Sequence, residues 1–237
     1  MIVVLTGAGI SADSGIATFR DSDGLWANYC IEDVCTPEAL LRNREKVIEF
    51  YNIRRKELLE KKPNAAHLAL AELERQHEVC IITQNIDDLH ERAGSKNIIH
   101  LHGELRKLRS SRNENSIVSI EGWEQKIDER HIDGSLLRPF VVFFGEAVPM
   151  LERAIEITEK ADILVIIGTS LNVYPAASLV NYVRPNVPIF VVDPAVNDVN
   201  SSFRAPRILN KITYIPERAA IGVPKLVNRL QIIDKNS

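Results

Sequence analysis

The amino-acid sequence predicts an α/β fold with a doubly wound parallel sheet. Several short apolar runs are continuous rather than alternating, as in strands covered on both faces; they lie at residues 2–5, 79–83, 98–101, 163–167 and 188–192. Helical patterns stand between them at residues 45–61, 64–76, 151–160 and 176–183. Strands that alternate with helices are typical of this fold class.

Size and composition indicate a globular protein with a substantial core. The chain has 237 residues, of which 45% are hydrophobic and 26% charged. This fits one large domain or a domain with a modest insertion. The net charge of −3 argues against a surface that binds nucleic acid or an anionic membrane. We therefore expect neither partner.

Cysteine usage and the first residues bear on the compartment. Cys30, Cys35 and Cys80 form no C-x-x-C pair, which is typical of a reduced protein without a disulfide framework. Met1 leads directly into an apolar run, so we expect no signal peptide. No apolar run approaches the roughly 18 residues of a membrane span. A cytoplasmic protein is expected, with a monomer as the default state.

A glycine-rich loop, G-A-G-I-S-A, follows the first predicted strand at residues 7–12. It matches the dinucleotide pattern G-x-G-x-x-G/A, with Ala12 in the third position. The glycines would let the backbone approach a pyrophosphate, and the next helix would offer unpaired N–H groups. A tight strand-to-helix turn needs the same glycines, so the loop alone leaves both interpretations open.

The segment after this loop differs from that of a dehydrogenase with a Rossmann fold. That fold places an acidic residue at the end of a second strand about 20 residues further on, where it holds a ribose. Here the chain continues after Gly15 as ATFRDSDGLWANYC, without a second strand pattern. We infer that an ordered loop lies over the cofactor instead.

Polar residues follow the later predicted strands. Gln84, Asn85 and Asp87 stand at the carboxyl end of a buried strand, where open α/β sheets bind ligands, although Asn and Asp are also good helix caps. His102 ends another strand and could act as a general base, although a single histidine is more often structural. The Gly-Thr-Ser turn at 168–170 resembles a ribose or phosphate contact.

One stretch departs from the alternation of strands and helices. Residues 106–138 are more polar, and Trp123 with a few aliphatic residues is their predicted anchor. We interpret them as a small inserted module at the edge of the sheet. The predicted division is a Rossmann-like domain of residues 1–105 and 139–237 and this module of residues 106–138.

Five motifs carry a family resemblance: GAGISADSGIATFR, TQNIDDLH, HGEL, RPFVVFFGE and GTSLNVYP. In this order they resemble the sirtuins, the NAD-dependent protein lysine deacylases. The resemblance covers nearly the whole chain. It is closest to the bacterial class III subgroup that also contains the mitochondrial desuccinylase.

The resemblance implies an NAD site built from several segments. The glycine loop and the segment after it would wrap NAD, and the polar residues after residue 83 would hold the nicotinamide and its ribose. Asp193 stands where the family often has an Asn that contacts the adenosine ribose. The implied NAD-binding residues are Gly7, Ala8, Gly9, Ser11, Ala12, Gly15, Phe19, Arg20, Trp26, Gln84, Asn85, Ile86, Asp87, Gly168, Thr169, Ser170, Asp193 and Ala219.

The implied reaction consumes NAD and transfers no hydride. The acyl-lysine carbonyl oxygen attacks C1′ of the nicotinamide ribose, and nicotinamide leaves. His102 then deprotonates a ribose hydroxyl, which attacks the imidate carbon, and water completes the release of lysine and acyl-ADP-ribose. Asn85 and Asp87 would stabilise the transient cationic sugar, so they join His102 as the implied catalytic residues.

An acyl preference also follows from the resemblance. Tyr51 and Arg54 are i and i+3 on one predicted helix, so both can reach one pocket. They resemble the pair that grips a terminal carboxylate in the desuccinylase subgroup, where a small alanine tends to occupy the position of Cys35. A solvated helix face is the alternative, because Arg55 and Lys56 adjoin. We expect succinyl-, malonyl- or glutaryl-lysine as substrates, with some deacetylation.

Acylated-lysine proteins or peptides are the implied partners. The peptide would be clamped as an added strand between two loop segments. The residues implied in that contact are Phe144, Gly145, Glu146 and Val173.

The chain departs from the family at the zinc site. Most sirtuins carry two C-x-x-C pairs in the module, and such a closed site requires all four ligands. By register, these positions fall at about Ser110, Asn113, Arg130 and Asp133. His131 and Asp133 alone would make a poor structural zinc site. We expect no zinc and no other metal.

Three other functions are weighed against deacylation. An NAD hydrolase or ADP-ribosyltransferase would cleave the same bond but would not need the pair Tyr51 and Arg54. An NAD-sensing module would not need His102 and Asn85. A Rossmann-fold dehydrogenase would lack its ribose acid.

Overall fold

The computed structural model describes residues 1–17, 29–195 and 211–235, with side chains to residue 231. These residues form nine strands: β1 (Ile2–Thr6), β2 (Val79–Thr83), β3 (Ile98–His100), β4 (Gly103–Ser110), β5 (Ile117–Ser119), β6 (Leu137–Val141), β7 (Ile163–Ile167), β8 (Ile189–Val192) and β9 (Ile212–Ile215). Six of them make a parallel sheet in the order β3-β2-β1-β7-β8-β9. The other three make an antiparallel sheet in the order β5-β4-β6.

The helices of the described residues are α1 (Gly9–Ala12), α2 (Ile31–Val34), α3 (Pro37–Arg42), α4 (Arg44–Glu60), α5 (Ala65–Glu74), α6 (Leu89–Ala93), α7 (Leu151–Glu159) and α8 (Ala219–Lys235), with a 3-10 helix at Ala176–Tyr182. Side-chain caps fix several starts. Thr36, Asn43 and Asn64 accept hydrogen bonds from the first turns of α3, α4 and α5, where the backbone N–H groups lack helical partners. None of these helices is long and apolar enough to cross a membrane.

The order of the parallel sheet sets the position of a binding crevice. β1 pairs with β2 on one side and with β7 on the other. On one side of β1 the sheet continues through β2 to β3, and on the other side it continues through β7 and β8 to β9. The strand order therefore reverses between β1 and β7, and open α/β sheets bind ligands at the carboxyl ends of strands beside such a switch point.

Both faces of the parallel sheet are covered by helices. On one face Ala154 of α7 and Leu179 of the 3-10 helix pack against the apolar side chains of β1, β2, β7 and β8. On the other face Leu70 of α5 and Leu226 of α8 cover the alternate side chains of the sheet. This double cover explains why the strands are continuously apolar.

A third apolar cluster joins α2–α4 to the antiparallel sheet. Phe50 and Tyr51 of α4 are fully buried in it, together with Val34, Leu105 and Phe143. The long helix α4 thus packs beside the smaller sheet, and the cluster lies next to the loop that follows β2 because Ile86 also packs against it.

The predicted parallel α/β sheet is confirmed, with exact bounds for β2 and β7 and differences of one residue at an end of the other predicted strands. The predicted helix at residues 176–183 is a 3-10 helix, and β9 and α8 were not predicted. Within residues 29–64 the chain forms helices and no strand. The antiparallel sheet extends beyond residues 106–138 on both sides, and the domain division stays a prediction.

Candidate active site

Two glycine-containing loops meet at the switch point. The N–H of Gly7 donates to the Ile167 carbonyl oxygen at 3.0 Å, and the N–H of Gly9 donates to that of Gly168 at 2.9 Å. A Cβ on Gly9 would lie 2.6 Å from the Gly168 Cα, and Gly168 itself has a φ of +59°. Side chains at these two glycines would force the loops apart, so glycine is required here by backbone packing.

The short helix α1 differs from the expected N-terminus with unpaired donors. The N–H groups of Gly9, Ile10 and Ser11 each donate to a backbone carbonyl, those of Ile10 and Ser11 to Gly7 and Ala8. The expectation of unpaired N–H groups is wrong at these positions, because a single turn closes on its own loop and on the loop after β7. The glycines therefore allow the two loops to pack closely, while the N–H groups of Gly7 and Gly9 are already paired within the protein.

One hydroxyl connects two of the predicted catalytic residues. The Ser11 hydroxyl donates to the Asp87 carboxylate at 3.0 Å and accepts from the Asn85 amide at 3.2 Å. All three side chains are buried. Burial raises the pKa of Asp87, while its hydrogen bonds from the Leu89 N–H and from Ser11 oppose that rise by favouring the ionised form.

Gln84 connects the ends of β1, β2 and β7 through hydrogen bonds of its backbone and its side chain. The Gln84 amide donates to the Thr169 hydroxyl at 3.1 Å, and its backbone N–H donates to the Thr6 carbonyl at 2.9 Å. The Thr169 hydroxyl also accepts from the Leu171 N–H. Ser170 lies in the same turn, half-buried. The structure therefore brings the predicted segments 7–12, 84–87 and 168–170 to one edge.

His102 is held in one tautomer at this edge. Its Nδ1 lies 2.9 Å from the Gln84 carbonyl oxygen. Because a carbonyl oxygen only accepts, Nδ1 carries the hydrogen and Nε2 carries the lone pair. Burial lowers the pKa of His102, and the hydrogen bond to Gln84 opposes this only in part. The imidazole is thereby kept neutral and suited to accept a proton at Nε2.

Two predicted adenosine contacts lie further along the sheet. Asp193 follows β8; its carboxylate accepts from the Ala195 N–H at 2.8 Å, and its own N–H donates to Ile215. Ala219 is buried at the start of α8. Phe19, Arg20 and Trp26 lie outside the described residues. Gly15 ends the opening loop with a φ of +77°.

Two residues that sequence reasoning missed hold the opening loop in place. The Asn64 amide donates to the Ile10 carbonyl at 2.8 Å and to the Ser14 hydroxyl at 3.0 Å. Asp13 accepts from Arg218 at 3.0 Å, which joins the loop to the chain just before α8. Asn64 carries a helix-capping signal in the sequence, but nothing local marks Asp13.

The predicted acyl pair lies in the third apolar cluster. The Tyr51 hydroxyl is 3.3 Å from the Cys35 thiol, and its ring stacks on Phe143 at a centroid distance of 5.8 Å. Arg54 is half-buried one turn along α4, with its guanidinium 5.7 Å from the centroid of the Phe50 ring. The structure thus places Tyr51, Arg54 and Cys35 together.

Electrostatics also connect these three side chains. Burial raises the pKa of Cys35, while the hydrogen bond from Tyr51 and the positive charge of Arg54 oppose the rise. Burial likewise raises the pKa of Tyr51 well above its usual value, again against the charge of Arg54. The tyrosine is therefore a neutral donor with a cation beside it.

The predicted peptide segments have mixed exposure. Phe144 and Val173 are 48% and 42% exposed, as expected of a peptide-binding surface. The Phe144 N–H already donates to the Cys35 carbonyl at 2.9 Å, and Gly145 has a φ of +88° in the turn. The Glu146 carboxylate turns inward.

Glu146 acts as a structural anchor in this turn. Its carboxylate accepts from Arg138 at 2.6 and 3.1 Å, from Arg109 at 3.4 Å and from the Phe143 N–H at 2.8 Å. These contacts position the turn that carries Phe144, and they occupy the Glu146 side chain within the protein.

A polar network stands where the resemblance places zinc ligands. The Ser110 hydroxyl donates to Asp133 at 2.7 Å, lies 2.7 Å from the Ser135 hydroxyl, and accepts from the N–H groups of Arg112 and Asn113 at 3.0 Å. Hydrogen bonds from the two serines hold the pKa of Asp133 well below its usual value. The end of β4 is thus connected by hydrogen bonds to the turn that precedes β6.

The module is also anchored on α4. Arg55 is fully buried and donates to the Leu105 carbonyl at 3.0 Å, to the Trp123 carbonyl at 2.8 Å and to the Gln125 side chain at 3.3 Å. Burial lowers the pKa of Arg55 to about 10. The alternative of a solvated helix face is wrong at Arg55. Lys56 is exposed, with its ammonium 5.3 Å from the Trp123 ring centroid.

Comparison with known proteins decides the family. The model of the Sir2 family matches residues 7–175, the part of the chain that contains both crevice loops and His102. The chain belongs to the Sir2 family. The resemblance to sirtuins in the sequence is confirmed.

Individual relatives agree with this assignment. An NAD-dependent protein deacylase of Aggregatibacter actinomycetemcomitans is 58% identical over 195 residues, 82% of this chain and 93% of the relative. One of Bacteroides thetaiotaomicron is 55% identical over 215 residues, 89% of this chain and 92% of the relative. A Sir2 homologue solved with ADP-ribose superposes with a TM-score of 0.86 at 40% identity, covering 100% of this chain and 94% of that one.

A second solved structure is a Sir2 homologue in complex with NAD. It superposes with a TM-score of 0.82 at 40% identity and covers 98% of this chain and 90% of that one. The Rossmann-like fold predicted from the sequence is confirmed by both superpositions.

Proposed function

We propose that this chain is an NAD-dependent protein lysine deacylase. The observation that carries the proposal is the fixed, neutral His102, which lies at the same sheet edge as the connected Ser11, Asn85 and Asp87. The names of its Sir2-family relatives and the NAD and ADP-ribose complexes of its structural neighbours support the same conclusion.

The crevice is suited to NAD. Gly7, Gly9 and Gly168 allow the two loops to pack backbone against backbone, which shapes the edge at the switch point where a pyrophosphate would bind. Residues 84–87 would hold the nicotinamide and its ribose, and Asp193 and Ala219 would contact the adenosine. When bound, NAD supplies a glycosidic bond whose cleavage opens C1′ to the acyl oxygen.

His102 would move the proton in this reaction. Its Nδ1–H is fixed on the Gln84 carbonyl, so Nε2 is the atom that accepts a proton from a ribose hydroxyl. Because burial keeps the imidazole neutral, the base is available at physiological pH. Replacement of His102 should therefore abolish turnover without unfolding the protein.

Asn85 and Asp87 would stabilise positive charge that develops on the sugar. Both are buried and fixed through Ser11, so they do not need to reorganise during the reaction, and preorganised polar groups in a dry site contribute more than the same groups in water. In its ionised form, which the hydrogen bonds from the Leu89 N–H and the Ser11 hydroxyl favour, Asp87 would suit a cationic sugar.

For the acyl group we propose a preference for succinyl, malonyl or glutaryl chains over acetyl. Such a chain ends in a carboxylate, which the guanidinium of Arg54 and the neutral Tyr51 hydroxyl can bind together. Cys35 beside them is small and leaves room for the chain. Acylated-lysine proteins are the proposed partners, and free lysine and O-acyl-ADP-ribose are the proposed products.

A direct test is incubation with NAD and a succinyl-lysine peptide, read by mass spectrometry. We expect nicotinamide, unmodified peptide and O-succinyl-ADP-ribose from the wild type, and none of them from a folded His102→Tyr variant. Full deacylation by this variant would refute the role of His102. Nicotinamide and ADP-ribose without a change in the peptide would instead support an NAD hydrolase.

The remaining expectations from the sequence stay predictions. They are a cytoplasmic monomer that binds neither nucleic acid nor a membrane, and a module without structural zinc.

A further inference from the structure

Three side chains outside the proposed reaction converge where α6, β3 and β4 meet. They are Glu91, His100 and Glu104, and their ligand atoms all lie within 4.8 Å of one another. The Nε2 of His100 is 2.7 Å from a carboxylate oxygen of Glu91. Glu104 also accepts from the ammonium of Lys107 at 2.8 Å.

The orientation of His100 is fixed from behind. Its Nδ1 lies 3.1 Å from the Asn85 carbonyl oxygen, which can only accept, so Nδ1 carries a hydrogen. Nε2 faces the two carboxylates and donates its hydrogen to Glu91 at 2.7 Å, so a metal ion at this point would replace that hydrogen. Histidine ligands of metal ions commonly donate their other ring N–H to a backbone carbonyl in this way, which sets the tautomer and the ring orientation.

We propose that Glu91, His100 and Glu104 form a binding site for a divalent transition metal ion, with Zn²⁺ as the preferred occupant. One imidazole nitrogen and two carboxylate oxygens are ordinary zinc ligands, and water would complete the tetrahedron. The ion takes the place of a proton on Nε2, and its two charges balance the two carboxylates. Lys107 then turns from Glu104 to solvent, to which its side chain is 37% exposed.

The ligand atoms of this cluster also argue against Mg²⁺ and Ca²⁺ as its occupants. Mg²⁺ and Ca²⁺ prefer oxygen ligands in sixfold or higher coordination, whereas this cluster offers a nitrogen and few oxygens. Glu91 is 40% exposed, so it can move outward to reach a metal–ligand distance of about 2.0–2.2 Å. This site differs from the sequence-based expectation of no metal, which rested on the cysteine positions of the module.

The test is calorimetric titration of the chelator-treated full chain with ZnCl₂. The variants are Glu91→Gln, His100→Gln and Glu104→Gln, and His131→Gln is the matched control because His131 also pairs with a carboxylate, Asp133, at 3.3 Å. Circular dichroism confirms that each variant is folded. We expect one equivalent of Zn²⁺ in the wild type and in the control, with an affinity reduced at least 10- to 100-fold in the three variants.

Three results would overturn the proposal. They are no saturable Zn²⁺ binding to the wild type, loss of binding in His131→Gln with retention in His100→Gln, and unchanged affinity in all three cluster variants. A competition titration with Mg²⁺ tests whether the site prefers Zn²⁺. We expect no displacement of Zn²⁺, and displacement would contradict the assignment to a transition metal.

Discussion

The acyl preference leads to a sharp prediction for Arg54→Met. Methionine retains much of the length of the side chain and its contact with the Phe50 ring, but it removes the cation beside Tyr51 and Cys35. A succinyl-lysine substrate would then place its carboxylate in an apolar cluster with only the Tyr51 hydroxyl as a donor. The variant should therefore lose desuccinylation selectively.

The size of this loss follows from the half-buried position of Arg54. Removal of one partner of a buried charge pair costs about 2–5 kcal/mol, and incomplete burial places Arg54 in the lower part of that range, at about 2–4 kcal/mol. At about 1.36 kcal/mol per tenfold change, kcat/KM for the succinyl peptide should fall about 30- to 900-fold. An acetyl group has no carboxylate, so deacetylation should change by less than about threefold.

The assay compares kcat/KM for the same peptide with a succinyl or an acetyl group, in the wild type and in the variant. Arg153→Met is the matched control, because Arg153 is an exposed arginine on α7 that pairs with Glu156, and it should affect neither substrate. Equal losses on both substrates in Arg54→Met would refute carboxylate recognition and indicate a structural role for Arg54.

Four further predictions concern stability and the crevice. His67 is buried and its pKa is lowered to about 4, so it is neutral when folded. The free energy of unfolding should fall as the pH drops from about 6.5 to 4, by up to about 3 kcal/mol, and urea titrations of His67→Gln should show a shallower dependence; an equal slope would contradict this. Gly168→Ala places a Cβ 2.4 Å from the Ile10 nitrogen at a positive φ, so it should destabilise by about 1–3 kcal/mol and raise the KM for NAD; wild-type values for both would be inconsistent with the loop packing. Ser110→Ala removes the centre of the module network and should cost about 1–3 kcal/mol in chemical denaturation, whereas an unchanged midpoint would show that the network is dispensable. Chelator treatment of His100→Gln should leave the thermal midpoint unchanged, and a large drop would reveal structural zinc in the module.

The fold could be predicted where the signal is local. Strands such as β2 and β7 are buried on both faces, so each stands in the sequence as a continuous apolar run whose ends can be recognised. β9 contains Thr213 and Tyr214 and is half-exposed at the sheet edge, and α8 contains Pro224, so neither element shows the pattern of its type. Their positions are set by pairing with β8 and by packing on α5, which the local sequence does not encode.

The candidate site, like the fold, could be predicted from the sequence only in part. The segments at 7–12, 84–87 and 168–170 were predictable because parallel strands bring their carboxyl ends to one edge. The inward turn of Glu146 was not, because it depends on two arginines that the sheet brings to it, Arg109 and Arg138. The pairing of the Gly9 N–H was not, because its acceptor, the Gly168 carbonyl, is distant in the chain. The cluster of Glu91, His100 and Glu104 was also invisible, since its members lie on three elements without a ligand spacing.

Helix α4 connects the proposed acyl pocket to the module. Successive residues on a helix point about 100° apart, so Tyr51 and Arg54 form one face while Asn52 and Arg55 form the adjacent one. The first face contacts Cys35 and Phe143. On the second, the Asn52 amide donates to the Gln125 carbonyl at 2.9 Å, and Arg55 donates to the Leu105 carbonyl just before the module and to the Trp123 carbonyl within it. A buried arginine without its partners is costly, so α4 cannot shift without disrupting either the module or the pocket. The register of this helix therefore holds the proposed acyl-binding side chains in place, because the same helix is fixed to the module through Asn52 and Arg55.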